Sequence, residues 1–335
     1  MPAGSGAAAP RAVVRVVTPA PAGSRRGNRV TALRWAALLR RLGCRVVLEE
    51  AYRGGPCDLL VALHARRSAD SVLRFRCERP GVPLVVALTG TDLYGDLETD
   101  PVARRSLELA SRLVVLQPLG IAALPAHVRH KARVIVQSAT PPRGEVRPAP
   151  DAFEVCVVGH LRPVKDPFRA AAAARLLPAA SRVRVLHLGA ALDAEMAAQA
   201  RAEAAANPRY RWLGELPRAE ARRVLAGCRL LVLSSRLEGG ANVISEAIAA
   251  SVPVLASRIP GSIGLLGPGY PGYFPVGDTG LLAELLWRAE RDPAFYASLK
   301  GWCESLKPLF APARELAAWR RLLEELRAPG PAQAA

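Results

Sequence analysis

Lysine is nearly missing from this chain: of its 46 basic residues four are Lys, so Arg carries the formal charge of +17. Together with abundant Ala and Pro, this reads as a compositional bias of the whole sequence. No run of five or more like charges occurs and aromatics make up 5%. A basic tail and a base-stacking platform are both lacking, which argues against nucleic acid as a partner. A positive field of this kind suits small anionic substrates. The six cysteines (Cys44, Cys57, Cys77, Cys156, Cys228 and Cys303) are scattered, without a C-x-x-C pair or a His at metal-ligand spacing. They read as small buried apolar residues in a reducing compartment, and no metal site is predicted. An Asp-x-Asp triplet that could seat a divalent ion is absent too. No apolar run approaches the roughly 20 residues that span a bilayer. Residues 1 to 12 are rich in Ala, Gly and Pro but lack the basic start and apolar centre of a secretory signal. The expectation is a cytoplasmic protein with no membrane span and a disordered first dozen residues; nothing signals an oligomeric state.

What is present is alternation. At 335 residues the chain has room for two domains, each with its own core. Short β-branched runs, Val13 to Thr18, Arg45 to Glu49, Leu59 to His64, Leu84 to Thr89 and Arg112 to Leu116, are strand candidates. Asn28 to Leu42 has Val30, Leu33, Ala37, Leu38 and Leu42 on one helical face. A Pro-rich stretch from Thr140 to Pro150 interrupts the pattern, which restarts with Glu154 to Gly159, Arg182 to Gly189, Tyr210 to Gly214, Leu230 to Ser234 and Pro253 to Ser257. The reading is α/β, with two doubly wound domains. The first takes residues 13–142 plus about 306–330, a linker takes 143–151, and the second takes 152–305. Leu309 to Arg327 is one more amphipathic helix, placed to pack back onto the first domain.

Three segments of the second domain carry candidate chemistry. In Ser234 to Ala247, Glu238 and Glu246 lie eight positions apart around a Gly-Gly turn that follows a strand and opens a helix. Gly239 and Gly240 let backbone approach a ligand, Asn242 suits a helix cap, and the N–H groups around Ala241 and Val243 face phosphate oxygens. Glu246, about one turn into the helix, can accept two hydrogen bonds from a vicinal diol such as ribose. A capped surface helix with two solvated glutamates has the same spacing. Upstream, Gly159-His160-Leu161-Arg162-Pro163-Val164-Lys165-Asp166-Pro167 follows a strand and can aim two cations at one diphosphate, with Asp166-Pro167 opening the next helix. In an Arg-rich chain a solvated loop is the plain alternative, although Lys165 is one of only four lysines. Between the two, Trp212-Leu213-Gly214-Glu215-Leu216-Pro217 ends a strand in a tight turn that could hold a flat base, or is an ordinary strand-to-helix turn.

In this order the three segments resemble the donor domain of retaining glycosyltransferases of the GT-B fold, family-four type. The resemblance implies a GT-B architecture of two Rossmann-like domains facing a cleft, with Arg162 and Lys165 on the donor diphosphate. It puts Gly159, Leu213 and Gly214 along the nucleotide, Glu246 on the ribose, and Glu238 with Gly239 and Gly240 around the donor sugar. Two departures are visible: Gly-Gly-Ala-Asn stands where the family shows a bulkier Gly-Phe-Gly-x-Pro, and the Arg-to-Lys spacing is shorter. The first domain is similar to the selenosugar synthases of selenoneine biosynthesis, a branch of those enzymes, in Thr18 to Ala36, Leu63 to Ser68 and Leu88 to Tyr94. That resemblance implies transfer of N-acetylglucosamine from UDP, a substrate rather than a cofactor, to selenophosphate, with loss of phosphate giving a selenosugar.

Selenophosphate is already anionic near pH 7, so it needs cations to hold it rather than a base to deprotonate it. Candidates are Arg25 and Arg26 in the loop of Gly23, Ser24, Gly27 and Asn28, then His64, Arg66 and Arg67, and the Thr89, Thr91 and Asp92 turn. All stand at strand ends, where open α/β sheets bind ligands. Each also has a plain reading as surface Arg, structural His or turn cap. Two rival functions remain: a transferase of the same fold acting on a lipid or saccharide hydroxyl, and a noncatalytic sugar-nucleotide-binding protein.

Overall fold

The computed structural model describes residues 12–328, so the disorder expected of residues 1 to 12 falls almost wholly outside the described residues. Twelve strands form two six-stranded sheets. The first holds β1 (Val13–Val17), β2 (Arg45–Glu49), β3 (Leu59–Leu63), β4 (Leu84–Leu88), β5 (Arg112–Val115) and β6 (Ala132–Val134), in the order β2-β1-β3-β4-β5-β6. The second holds β7 (Phe153–Val158), β8 (Val183–Leu188), β9 (Tyr210–Gly214), β10 (Leu230–Leu233), β11 (Val254–Ser257) and β12 (Tyr273–Phe274), in the order β12-β11-β10-β7-β8-β9, parallel at every join. Continuous apolar sequence explains the central strands. Leu-Leu-Val-Ala-Leu in β3 and Leu-Val-Val-Ala-Leu in β4 are buried at every position because helices cover both faces, whereas edge strand β2 is only half-buried.

Contacts divide the chain into two units. One takes the residues up to Val115, Leu124–Arg133 and those from Leu316 on; the other takes Leu116–Ala123 and Val134–Glu315. The Pro-rich stretch from Thr140 to Pro150 therefore lies inside the second unit.

Most expected strands end one residue early. Thr18, His64, Thr89, Leu116, Gly159, Gly189 and Ser234 stand just past the strands they were expected to finish, where the backbone turns out of the sheet. β6 and β12, with three and two residues, are too short to show a period and were not foreseen. The last helix starts at Pro312 rather than Leu309: Pro308 sits in a 3-10 turn, Lys307–Phe310, and Pro312 takes the first helical position, where no N–H is needed. This helix packs in the first unit. Trp319 meets Trp35 of the helix Gly27–Arg41 edge to face, with ring centroids 4.9 Å apart. Glu325 accepts from Arg112 at 2.8 Å and from Arg133 Nε at 2.9 Å, and these partners, Arg133 foremost, hold its carboxyl below the ordinary range. Among the described residues, no helix is long and apolar enough to cross a membrane.

Candidate functional site

In the second unit the chain runs from β7 outward through β8 and β9, then returns to β10 on the other side of β7. That reversal opens a crevice at the carboxyl ends of β7 and β10, the place where open parallel sheets bind ligands. A pocket there is lined by Gly159, Lys165, His187, Ser234 and Ser235, among others. Buried His187, on β8, holds the loop from beneath. Its Nε2–H donates to the Gly159 carbonyl at 3.2 Å, and its Nδ1 accepts from the Tyr210 hydroxyl at 2.9 Å. Burial pushes its pKa from 6.5 down to about 4, so the ring is neutral near pH 7. Gly189, with φ at +156°, passes so close that a Cβ would lie 1.9 Å from the Gly159 oxygen.

Beyond Gly159 the chain makes a 3-10 turn, Pro163–Lys165, with Arg162 partly buried at its start. Asp166 follows in the left-handed region at φ +45° and binds Arg169 at 2.8 Å. The next helix starts at Arg169, not at Asp166-Pro167 as expected, because that left-handed residue breaks the helical path. The loop is tied to the segment after β10: Arg236 N–H donates to the Val164 carbonyl at 2.8 Å, and Ser234 Oγ donates to the Asp166 carbonyl at 2.9 Å. Lys165 thereby meets Glu238, 73 positions on; its ammonium pairs with Oε1, which also accepts from Ser235 Oγ at 2.7 Å. Ser257 Oγ donates to the Ser235 carbonyl at 2.5 Å. The helix Pro260–Leu266 packs against this loop through Gly261, where a Cβ would lie 2.1 Å from the Glu238 carbonyl oxygen.

Glu246 stands in the helix Asn242–Ala249, nearly buried, and Arg218 donates to its Oε1 at 3.0 Å. Arg218 opens the helix Arg218–Gly227, just after the end of β9, where Gly214 turns at φ +68° and Leu213 is half-buried. Two sequence readings change here. The cap position falls to Ala241, whose side chain has no acceptor, and Asn242 is the first helical residue. The second glycine of the turn answers to packing: a Cβ on Gly240 would lie 2.6 Å from Leu116 Cβ. Gly239 is buried, and Val243 is buried on the face of the helix turned to the core.

In the first unit the sheet reverses between β1 and β3. Gly23, at φ +80°, Ser24, Arg25, Arg26, Gly27 and Asn28 follow β1; His64, Arg66 and Arg67 follow β3; Thr89, Thr91 and Asp92 follow β4. His64 is buried with φ at +74°, strain that a non-glycine residue carries only where surrounding structure fixes it. Its Nδ1 accepts from the Arg67 amide at 3.3 Å, so Nε2 carries the proton and donates to Thr91 Oγ1 at 3.0 Å. Burial lowers its pKa against the pull of Asp92. His64 is therefore a neutral ring, not one of the cations the sequence suggested. Arg66 is committed to Asp100 at 2.6 Å and Asp96 at 3.6 Å. Asp92, fully buried at the start of a π-helical turn (Asp92–Asp96), accepts from the Thr89 and Ala65 amides at 2.9 Å and from Gly90 at 2.8 Å. It clamps the ends of β3 and β4 together. Arg25, Arg26 and Arg67 are exposed. Among the described residues, no group of three or more His, Cys, Asp or Glu could hold a metal ion.

Residues 143–300, most of the second unit, match the family model of glycosyl transferases group 1. The chain carries a glycosyltransferase group 1 domain. Solved structures share its fold along nearly the whole length. HepE (Alr3699) of Anabaena, in complex with UDP and glucose, is similar at 16% identity over 94% of this chain and 100% of its own, with a TM-score of 0.75. Sucrose-phosphate synthase of Thermosynechococcus elongatus is similar at 16% identity over 95% and 100%, with a TM-score of 0.73. The pneumococcal O-GlcNAc transferase GtfA, in complex with UDP and GlcNAc, is similar at 15% identity over 81% of this chain and 57% of its own, with a TM-score of 0.63. The two parallel sheets with their helices are thus the GT-B fold.

Sequence reading missed several residues of this glycosyltransferase domain. Ser234 and Ser235, directly after the all-apolar β10, were available as the first polar residues at a strand's carboxyl end. His187 also had a signal, a lone histidine between two leucines at the carboxyl end of a strand. Arg218 had none, since an Arg in this chain is unremarkable until its partner is seen.

Proposed function

We propose that this chain transfers N-acetylglucosamine from UDP to selenophosphate. One observation carries the donor half: Lys165 and Glu238 stand on loops tied together at the carboxyl ends of one sheet, Glu246 stands in the helix that follows, and each carboxylate has its Oε1 held by a cation. Among the described residues Oε2 of each has no hydrogen-bond partner, so it is left to accept from sugar hydroxyls. Lys165 and Arg162 neutralise the leaving diphosphate as its charge develops. The relatives crystallised with UDP, with glucose or GlcNAc beside it, support the choice of donor.

The acceptor half rests on the resemblance of the first unit to selenosugar synthases and on Arg25, Arg26 and Arg67, with His64 and Asp92 shaping the backbone that carries Arg67. Selenium forms a bond to the anomeric carbon as the bond to the UDP oxygen breaks and UDP leaves with the electron pair. Water then splits the Se–P bond to release phosphate and the selenosugar. No general base and no metal ion are required by this scheme, and selenoneine biosynthesis would consume the product.

The test is mass spectrometry of products from the purified protein, UDP-sugars and selenophosphate, with and without EDTA. A selenium-containing sugar, UDP in equal amount and undiminished turnover in EDTA are expected, with rates falling from selenophosphate to thiophosphate to phosphate. Equal rates with a simple alcohol, or a product without selenium, would transfer the assignment to a hydroxyl acceptor.

A further inference from the structure

We infer that Arg218 is a positioning residue for nucleoside recognition, orienting Glu246 so that its carboxylate meets the ribose diol. The inference rests on the donor site proposed above, in which Glu246 takes the ribose. Three features of the molecule lead to it. Arg218 is the first residue of its helix, where a cation sits against the positive end of the helix dipole. Such a placement is unfavourable unless an anion answers it, and Glu246 does so at 3.0 Å. The pair is lopsided in exposure, with the Glu246 side chain 12% exposed and that of Arg218 46%. A carboxylate withdrawn that far from water needs a charged partner, while the guanidinium reaches in from the surface. Finally, the bond uses only Oε1. The side chain is fixed in one rotamer while Oε2, and a second lone pair on Oε1, stay available to hydroxyl donors. Because Arg218 lies four residues past Gly214, it ties the base-side strand end to the ribose-side helix, two parts of one nucleoside site that the sequence holds 28 positions apart.

Without Arg218 the glutamate is free to rotate, and binding a nucleotide has to order it. The cost of immobilising one such side chain corresponds to roughly a three- to tenfold weaker affinity. It falls on ribose recognition specifically.

The experiment compares UDP with 2′-deoxy-UDP by calorimetry on the full chain, for the parent protein and for Arg218→Ala, Arg218→Lys, Glu246→Ala and the Arg218→Ala/Glu246→Ala double variant. Arg218→Ala is expected to weaken UDP about three- to tenfold and to narrow the ratio of UDP to 2′-deoxy-UDP affinity. Arg218→Lys should recover part of the ratio, and the double variant should bind UDP no more weakly than Glu246→Ala alone. If Glu246→Ala narrows the ratio but Arg218→Ala leaves it unchanged, or the two losses add, the role of Arg218 is overturned while the ribose assignment stands. If Glu246→Ala leaves UDP affinity as it was, the ribose assignment falls and this inference falls with it.

Discussion

Lowering the pH from 7 to 5 should destabilise the second unit through one side chain, His187. In the folded chain burial holds its pKa at about 4, against 6.5 ordinarily. The unfolded chain therefore binds the extra proton first. The stability that comes from keeping the ring neutral is fully present above 6.5 and is lost as pH falls from 6.5 toward 4. At pH 7 the ring is mostly neutral in both states; at pH 5 it is protonated when unfolded and about nine-tenths neutral when folded. The difference amounts to about 2 kcal/mol between those two pH values. Urea unfolding at pH 7 and pH 5 measures it, with His187→Gln as the control. Gln cannot titrate but can still donate to the Gly159 carbonyl, so whatever its cost at pH 7, its loss of stability on acidification should be about 2 kcal/mol smaller than the parent's. Equal losses in the two proteins would refute the assignment of the acid sensitivity to His187, and with it the picture of a neutral ring supporting the Gly159 loop.

Two further outcomes follow from other contacts. Lys165→Ala should lower kcat about a hundredfold while changing UDP affinity much less, since a cation aimed at developing charge contributes most in the transition state; a variant that keeps the parent kcat would detach Lys165 from the leaving group. Trp319→Ala should destabilise the first unit by about 3 to 5 kcal/mol, because a fully buried indole against Trp35 leaves a cavity. Trp319→Phe should cost less, as it keeps an aromatic ring and removes an indole N–H that is buried without a hydrogen-bond partner among the described residues. Thermal unfolding of both variants checks this, and equal midpoints for the two would count against the cavity argument.

Much of the architecture was legible because parallel strands buried on both faces must be apolar throughout. Runs such as Leu59 to Leu63 and Leu230 to Leu233 can hardly be anything else, and the βα alternation around them implies two doubly wound sheets. The place of the Gly-x-x-Arg-x-x-Lys loop and the paired glutamates, just past two strands, was legible for a related reason: an apolar run marks the strand, so the residues after it mark the candidate site. The sequence also marked the first helix and the last one as amphipathic. It could not say that Trp35 and Trp319 touch.

Charge state and partnership belonged to the tertiary structure alone. His64 looked like a cation until burial and the Arg67 amide made it a neutral donor to Thr91. Gly240 looked like a gap for a ligand until Leu116, from a segment far upstream, filled the space. Asn242 looked like a cap, but the helix begins one residue too early for it. Local sequence fixes which residues are apolar, which can turn and which follow a strand, because those properties depend on near neighbours. Whether a histidine is charged, which Arg answers which Glu, and what a missing Cβ makes room for depend on atoms brought close from 27 to 213 positions away, and only the packed chain decides them.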